Sequence, residues 1–241
     1  MPAYNVVHFQ SCSAQQEPQY AAWQRAELAR AILGQPGFVA VQFMSLQPVQ
    51  LQPSGPQPWR FCALYELEAT AAQASSALQV FSAAARRKPM ESGLLHTDAA
   101  HVFELTRPHL PTRNAIDETA PLHVAFVMGN CIEGKEVEYD RWYDEVHSLE
   151  VLGTPDFVAM RRGRLAPLQA TPHNVQPANR LVLLQIRSRD LHASIDEFIA
   201  RAHGTSRSGV KWAPRESAAG FASLNRTTHV FTPFSPRLTA A

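Results

Sequence analysis

A surplus of either charge is the first thing this sequence lacks: 22 Lys and Arg stand against 21 Asp and Glu, a formal net charge of +1. That balance, with no dense basic run, removes the electrostatic basis for binding nucleic acid. Long apolar runs are missing too. Nowhere do ~18 apolar residues follow one another, so no membrane-spanning helix is expected. The opening MPAYNVVHFQSCSAQQEP has neither the basic nor the apolar region of a secretory signal. Cysteine is scarce: Cys12, Cys62 and Cys131 are an odd number, widely spaced and without a CxxC pair. This excludes a disulfide scaffold and a cysteine-rich zinc site, and suits a reducing cytoplasm. There is no phosphate-binding glycine loop, HExxH motif or Cys/His cluster, so neither a metal nor another cofactor is expected. What is plentiful is apolar residues, 45% of 241 against 18% charged. That is enough for one large domain or two small ones with a substantial core.

The chain repeats itself. EPQYAAWQRAELARAILGQPGFVAV from Glu17 aligns with EVEYDRWYDEVHSLEVLGTPDFVAM from Glu136 at a constant offset of 119 residues. Tyr20 falls on Tyr139, Trp23 on Trp142, Pro36 on Pro155 and Phe38 on Phe157, and Cys12 falls on Cys131. Further on, Arg60-Phe61-Cys62-Ala63-Leu64 matches Arg180-Leu181-Val182-Leu183-Leu184, and each copy closes on His-Val-Phe, at His101 and at His229. Four matches in the same order indicate a tandem duplication. Between the copies, TRPHLPTRNAIDETAP (residues 106–121) carries three prolines and is expected neither to continue a strand nor to form a helix. The expected division is a first repeat over 1–108, a linker over 109–120 and a second repeat over 121–241.

Within the second copy the apolar period alternates between strand and helix. LHVAFVM from Leu122 reads as a strand, and Glu138 to Leu152 as an amphipathic helix ended by Gly153 and Pro155. Phe157 to Arg162 and Leu181 to Ile186 read as strands joined by a long loop with Pro167, Pro172 and Pro177. Leu191 to His203 reads as a helix and Thr228 to Phe231 as the last strand. The first copy follows suit, with its own proline-rich loop from Val49 to Pro58. The order β-α-β-β-α-β is the ferredoxin-like unit. Such a unit leaves one sheet face bare, and two copies can cover each other.

The stretch Tyr139-Asp140-Arg141-Trp142-Tyr143-Asp144-Glu145-Val146-His147, followed by Leu152, Pro155 and Phe157, resembles the EthD-like branch of the dimeric α/β-barrel superfamily. The first helix of that branch reads WYDxxH and ends in a PGF-like turn. The resemblance covers both halves, but the histidine stands only in the second. It implies an α+β fold in which the two antiparallel sheets face one another and close a barrel, here as a pseudo-dimer within one chain. The chemistry of the superfamily is mixed: cofactor-free quinone-forming monooxygenases, muconolactone-type isomerases, polyketide cyclases and decarboxylases, and haem enzymes.

His147 is the sharpest catalytic candidate. It lies four residues after Tyr143 and eight after Tyr139, on one helix flank, and Asp144 or Glu150 can orient the imidazole at three residues' distance. The plain alternative is a surface histidine in a helical ion pair. At the matching position the first copy has Leu28, and opposite Tyr143 it has Gln24. Trp142 and Tyr143 are candidates to shape a pocket, though a tryptophan on an apolar helix face is more often core. His229 at a strand end and His123 on the first strand of the second copy are binding candidates. So is Arg161, since either it or Arg162 must point to the inner sheet face and could hold a carboxylate or phenolate oxygen. The expected function is a cofactor-independent enzyme acting on a small apolar carbonyl, lactone or aromatic compound in the barrel cavity. His147 would move a proton through an enolate-like intermediate in isomerisation, cyclisation or decarboxylation. The alternatives are a cofactor-free monooxygenase forming quinones and a non-catalytic small-molecule-binding barrel. The expected partner is a small-molecule substrate, and the expected assembly a monomeric pseudo-dimer or a homodimer.

Overall fold

A computed structural model describes residues 2–52, 55, 57–170, 178–214 and 218–240 of the chain. Pro53, Pro56, Pro172 and Pro177 of the two proline-rich loops lie outside the described residues. The elements run β1 (Ala3–Ser11), α1, β2 (Phe38–Leu46), β3 (Phe61–Glu68), α2, β4 (Thr97–Pro111), β5 (Leu122–Cys131), α3, β6 (Phe157–Leu165), β7 (Arg180–Arg187), α4 (Leu191–Ala202), β8 (Ala222–Pro233) and β9 (Leu238–Thr239). The first three helices each contain a wider π-type turn. Helix α1 joins Glu17–Trp23, Gln24–Leu28 and Ala29–Leu33; α2 joins Ala71–Phe81, Ser82–Arg87 and Lys88–Glu91; α3 joins Glu136–Trp142, Tyr143–His147 and Ser148–Leu152, the middle segment being the π turn each time.

Local chemistry sets the ends of these elements. Thr70 and Gln73 form a reciprocal capping box at the start of α2, and the Asp190 side chain accepts the Ala193 N–H at the start of α4. The turns before β2 and β6 need a left-handed residue, supplied by Gly37 (φ +91°) and by Asp156 (φ 69°). Asp156 tolerates that conformation because its carboxylate accepts the hydroxyls of Ser188 and Ser194 at 3.1 and 2.6 Å.

The strands pair antiparallel in the order β3-β1-β4-β6-β7-β5-β8-β2, and β2 pairs back on β3, which closes an eight-stranded barrel; β9 pairs with the same edge of β2 as β8, further along it. All four helices pack on its outer surface. β4 outruns its sequence expectation. The stretch expected to be free of strand, including the first residues of the 109–120 linker, continues β4 as far as Pro111 and pairs with β6. The pairing slips between Leu105 and Arg107 and again between Arg107 and Leu110. Pro108 falls within the second slip, where its missing N–H removes no ladder bond.

Side chains alternate between the two faces of the wall. Val7, Phe9, Phe103, Val124, Phe126, Met128, Leu183 and Phe231 point inward and form one buried cluster. Phe9 lies 5.6 Å from Phe126 and 5.9 Å from Phe231, ring to ring. An eight-stranded barrel is just wide enough for its own side chains, and here they fill it. This corrects the expectation that a ligand occupies the middle of the barrel. The outward residues split into two clusters, one beneath α1 and α2 around Leu28, Phe38, Tyr65 and Phe81, the other beneath α3 and α4 around Tyr139, Phe157, Val182 and Phe198.

His229 is 1% exposed inside the barrel, with its ring 5.2 Å from that of Phe9 and its Nδ1 2.7 Å from Gln57 Oε1. Burial holds its pKa down to about 4. The folded state therefore takes up this proton only near pH 4, whereas an unfolded chain takes it up near ~6.5. Stability carried by the neutral imidazole is complete above ~6.5 and falls as the pH drops from there toward 4. We expect urea melts to lose on the order of 3 kcal/mol across that window through this group. His229→Gln should remove most of the slope there; an unchanged slope would place the titrating group elsewhere.

Candidate functional site

Helix α3 lies across the outer face of β5, β7 and β8. Between them is a cleft with about 560 Å³ of unfilled space, part of it open to solvent. Tyr139, Trp142, Tyr143 and His147 form its helix side, Val127, Gly129 and Val182 its sheet side, and Ala222 and Arg226 of β8 one flank. Three of the six predicted site residues, His147, Trp142 and Tyr143, are thus brought together.

The π turn decides how they meet. Over Tyr143–His147 the backbone bonds skip five residues instead of four, so residues five apart come into line. His147 accordingly stacks on Trp142, with ring centres 4.3 Å apart and planes 12° from parallel, and meets Tyr143 edge-on at 5.2 Å. Trp212, from the segment between α4 and β8, closes the third side at 5.6 Å. The imidazole is thereby fixed on several sides, with 13% of its side chain exposed.

One polar partner is Glu150: Nδ1 lies 3.2 Å from Oε2. The other carboxylate oxygen, Oε1, accepts the Ala213 backbone N–H at 2.5 Å. Glu150 is thus tethered before it orients the ring. With the Nδ1 hydrogen committed to Glu150, the lone pair of the neutral imidazole sits on Nε2. Asp144, the other carboxylate within reach by sequence, does not serve His147. It binds Arg107 and Arg162, and those guanidinium partners, Arg107 first, hold its carboxyl below the usual range.

Arg162 is 4% exposed, bonded to Asp144 through Nη2 and lying 5.0 Å over the Tyr143 ring. Tyr139 stands under Arg180, 5.4 Å from its ring, and burial pushes its phenol well above the ordinary value. The Trp142 indole N–H is buried and has no hydrogen-bond partner among the described residues. The cleft therefore offers aromatic faces, a tethered imidazole, an indole donor and the guanidinium-bearing side chain of Arg226. Among the described residues no three His, Cys, Asp or Glu side chains are grouped to hold a metal ion.

The other predicted residues lie elsewhere. His123 faces the helices but not the cleft; its Nε2 donates to the Ser188 carbonyl at 3.3 Å, its Nδ1 lies 2.6 Å from Thr232 Oγ1, and burial lowers its pKa. His229 is inside the barrel, as described above. Arg161 points inward at one end of the barrel and pairs with Glu66 at 3.1 Å. Sequence reasoning missed Arg226 and Trp212, which come from a region without periodicity, and the role of Arg162.

No protein-family model matches the chain, and no curated protein matches it. Solved structures do. An anthrone oxidase-like protein superposes with a TM-score of 0.66 at 9% identity, over 100% of this chain and 94% of that one. A candidate monooxygenase from Lactobacillus acidophilus NCFM gives 0.54 at 8% identity, covering 100% and 98%. Chlorite dismutase from Candidatus Nitrospira defluvii gives 0.54 at 8% identity, covering 96% and 91%. At such low identity the likeness is one of fold. No helix among the described residues is long and apolar enough to cross a membrane.

The Arg162–Asp144 pair yields a stability test. Asp144→Ala strands a guanidinium that is almost wholly buried, so we expect a loss of ~3 kcal/mol in denaturant melts. Arg162→Met removes the charge and keeps most of the volume, and should cost clearly less. Equal costs for the two would mean the guanidinium is not the group that needs compensation.

Proposed function

We propose that the chain is a small-molecule barrel enzyme that moves a proton at a planar, partly apolar carbonyl or phenolic compound held between α3 and the sheet. His147 is the base and Glu150 its positioning residue. The observation that carries this reading is the tether: a ring stacked on Trp142 and bonded to a carboxylate that a backbone N–H holds in place, at the wall of an aromatic cleft. The substrate's ring lies against the aromatic walls. Nε2 takes a proton from an acidic C–H beside the carbonyl, or from a phenol, and the negative charge collects on oxygen, where Arg226 and the Trp142 N–H can meet it. Return of the proton at another carbon completes an isomerisation; in a decarboxylation the enolate forms instead as a β-keto carboxylate loses carbon dioxide, its C–C electron pair moving onto the carbonyl oxygen, and the protonated imidazole then gives its proton to the α-carbon.

An oxidative outcome uses the same first step, and the aromatic lining favours substrates capable of it. A hydroquinone that gives up two protons and two electrons to dioxygen leaves as the quinone, with hydrogen peroxide as the second product. We further infer that the chain is a fused pair of ferredoxin-like units related to the EthD-like branch. What supports this is that β4-β1-β3-β2 and β8-β5-β7-β6 have the same order and that the matched residues from Glu17 to Val41 stand 119 from their counterparts.

A turnover screen on β-keto acids, lactones and hydroquinones, with and without oxygen, separates these outcomes. His147→Ala should lower turnover of the active substrate by ~10²–10⁴. Its stability cost should stay within ~1–2 kcal/mol. Leu28→Ala, at the matching and fully covered position of α1, should cost ~2–5 kcal/mol without touching the chemistry of the folded fraction. Full activity in His147→Ala would overturn the assignment of His147 as the base, and absence of turnover by the unaltered chain on every substrate of the screen would favour a binding protein.

A further inference from the structure

A second cavity opens at one end of the barrel, on its inner side, between the start of β1, the end of β3 and the slipped part of the β4–β6 pairing. It holds about 440 Å³ of unfilled space, part of it open to solvent. Asn5 and Arg161 both line it. Asn5 is fully buried, yet neither its Nδ2 nor its Oδ1 has a hydrogen-bond partner among the described residues. Arg161 gives Nη1 to Glu66, while its Nε is buried and has no partner among the described residues.

Glu66 does not bond to these atoms. Arg237 already grips it from the other side, through Nε at 3.2 Å and Nη2 at 2.7 Å. Burial acts to raise the Glu66 carboxyl, but the two guanidiniums outweigh it and leave the group below its usual range and ionised. Glu68, the other carboxylate of the lining, is exposed at the rim. Against the cavity lie two unused donor groups, the Asn5 amide nitrogen and the cationic Arg161 Nε–H, and one unused carbonyl acceptor, each covered from solvent. A buried amide in that state is costly, and a leucine would fill the same place without the cost.

We propose that this mouth is a binding site for a small hydroxycarboxylate, separate from the cleft of His147. The carboxylate accepts from Arg161 Nε–H and Asn5 Nδ2–H, and the adjacent hydroxyl donates to Asn5 Oδ1. No bond is made or broken in the binding. The two sites stay apart because Arg161 and Arg162 are consecutive in β6 and point to opposite sides of the wall.

The test uses the full chain labelled with nitrogen-15 and titrated with L-lactate, with acetate as the comparison. Saturable shifts of the Asn5 side-chain amide and of the Arg161 Nε–H, at lower concentration for lactate than for acetate, are expected. Asn5→Leu should abolish the response and raise Tm, because the unpaired amide is gone. Arg161→Lys, which keeps the charge but loses the Nε donor, should weaken binding several-fold and keeps the test open if the leucine variant fails to fold. Absence of a saturable shift at tens of millimolar lactate overturns the proposal. So does an equal response to acetate, undiminished binding in Arg161→Lys, or a folded Asn5→Leu variant with a lowered Tm, which would mean that enclosed water already satisfies the amide.

Discussion

Closure of the barrel at two seams is the constraint on which the rest of this molecule depends. β4 pairs with β6 and β2 with β8, and only these pairings join the first four strands to the second four. A four-stranded sheet with its helices on one side has an apolar face and two edges exposed, and both are liabilities in water. The seams remove both at once. The inner faces meet, and each inward phenylalanine contributes ~1.5–3 kcal/mol by leaving water. The β4–β6 seam is tight enough to dictate a residue: a Cβ at Gly163 would lie 2.9 Å from the Glu104 carbonyl oxygen. Any side chain there would push the strands apart.

With the barrel filled, the open cleft lies outside it, and the two halves diverge in what lies beneath their first helix. Val127, Gly129, Tyr143 and His147 border the cleft in the second half. The residues 119 positions earlier are His8, Gln10, Gln24 and Leu28, and they fill the corresponding space. Gln24 donates to Gln10 at 2.7 Å, Gln10 to His8 at 2.6 Å, and His8 to Asp98 at 2.9 Å, with Arg86 on the far side of that carboxylate. Burial alone would raise the Asp98 carboxyl, but the bonds from His8 and Arg86 bring it down to about 2. The first half spends this volume on a closed polar chain. The second half, with glycine and valine in place of glutamine and histidine, leaves a cleft there among the described residues.

Much of this could be read from residues alone, and the failures have identifiable physical causes. Helix α3 and strands β5 to β7 start and stop within three residues of their expected limits, because apolar period and Gly-Pro punctuation agree there. The extension of β4 was hidden because its prolines and polar residues look like a linker until bulges absorb them. Grouping of Tyr143 and His147 was legible from their spacing. The sides taken by Arg161 and His123 were not. β6 slips against β7 between Phe157 and Ala159, which breaks a simple count of alternation, and β5 is apolar on both faces, so alternation along it distinguishes nothing. Contacts such as Trp212 and Ala213 on the histidine and its carboxylate come from a segment without pattern and appear only when the chain is folded.

The π turns show how far geometry alone goes toward making a site. Such turns often mark functional positions, and the one in α3 creates the Trp142–His147 stack. Yet α1 has a π turn at the matching place, Gln24–Leu28, and α2 has another at Ser82–Arg87. In α1 the same wide turn delivers Gln24 and Leu28 into a filled interior. The turn is therefore a property of how these helices sit on their sheets, shared by both halves, and carries no chemistry of its own. A site arises where three further conditions coincide: a titratable ring on the turn, a partner that fixes that ring, and small residues on the strands below. His147, Glu150 and Gly129 meet those conditions together in the second half, and their counterparts 119 residues earlier do not.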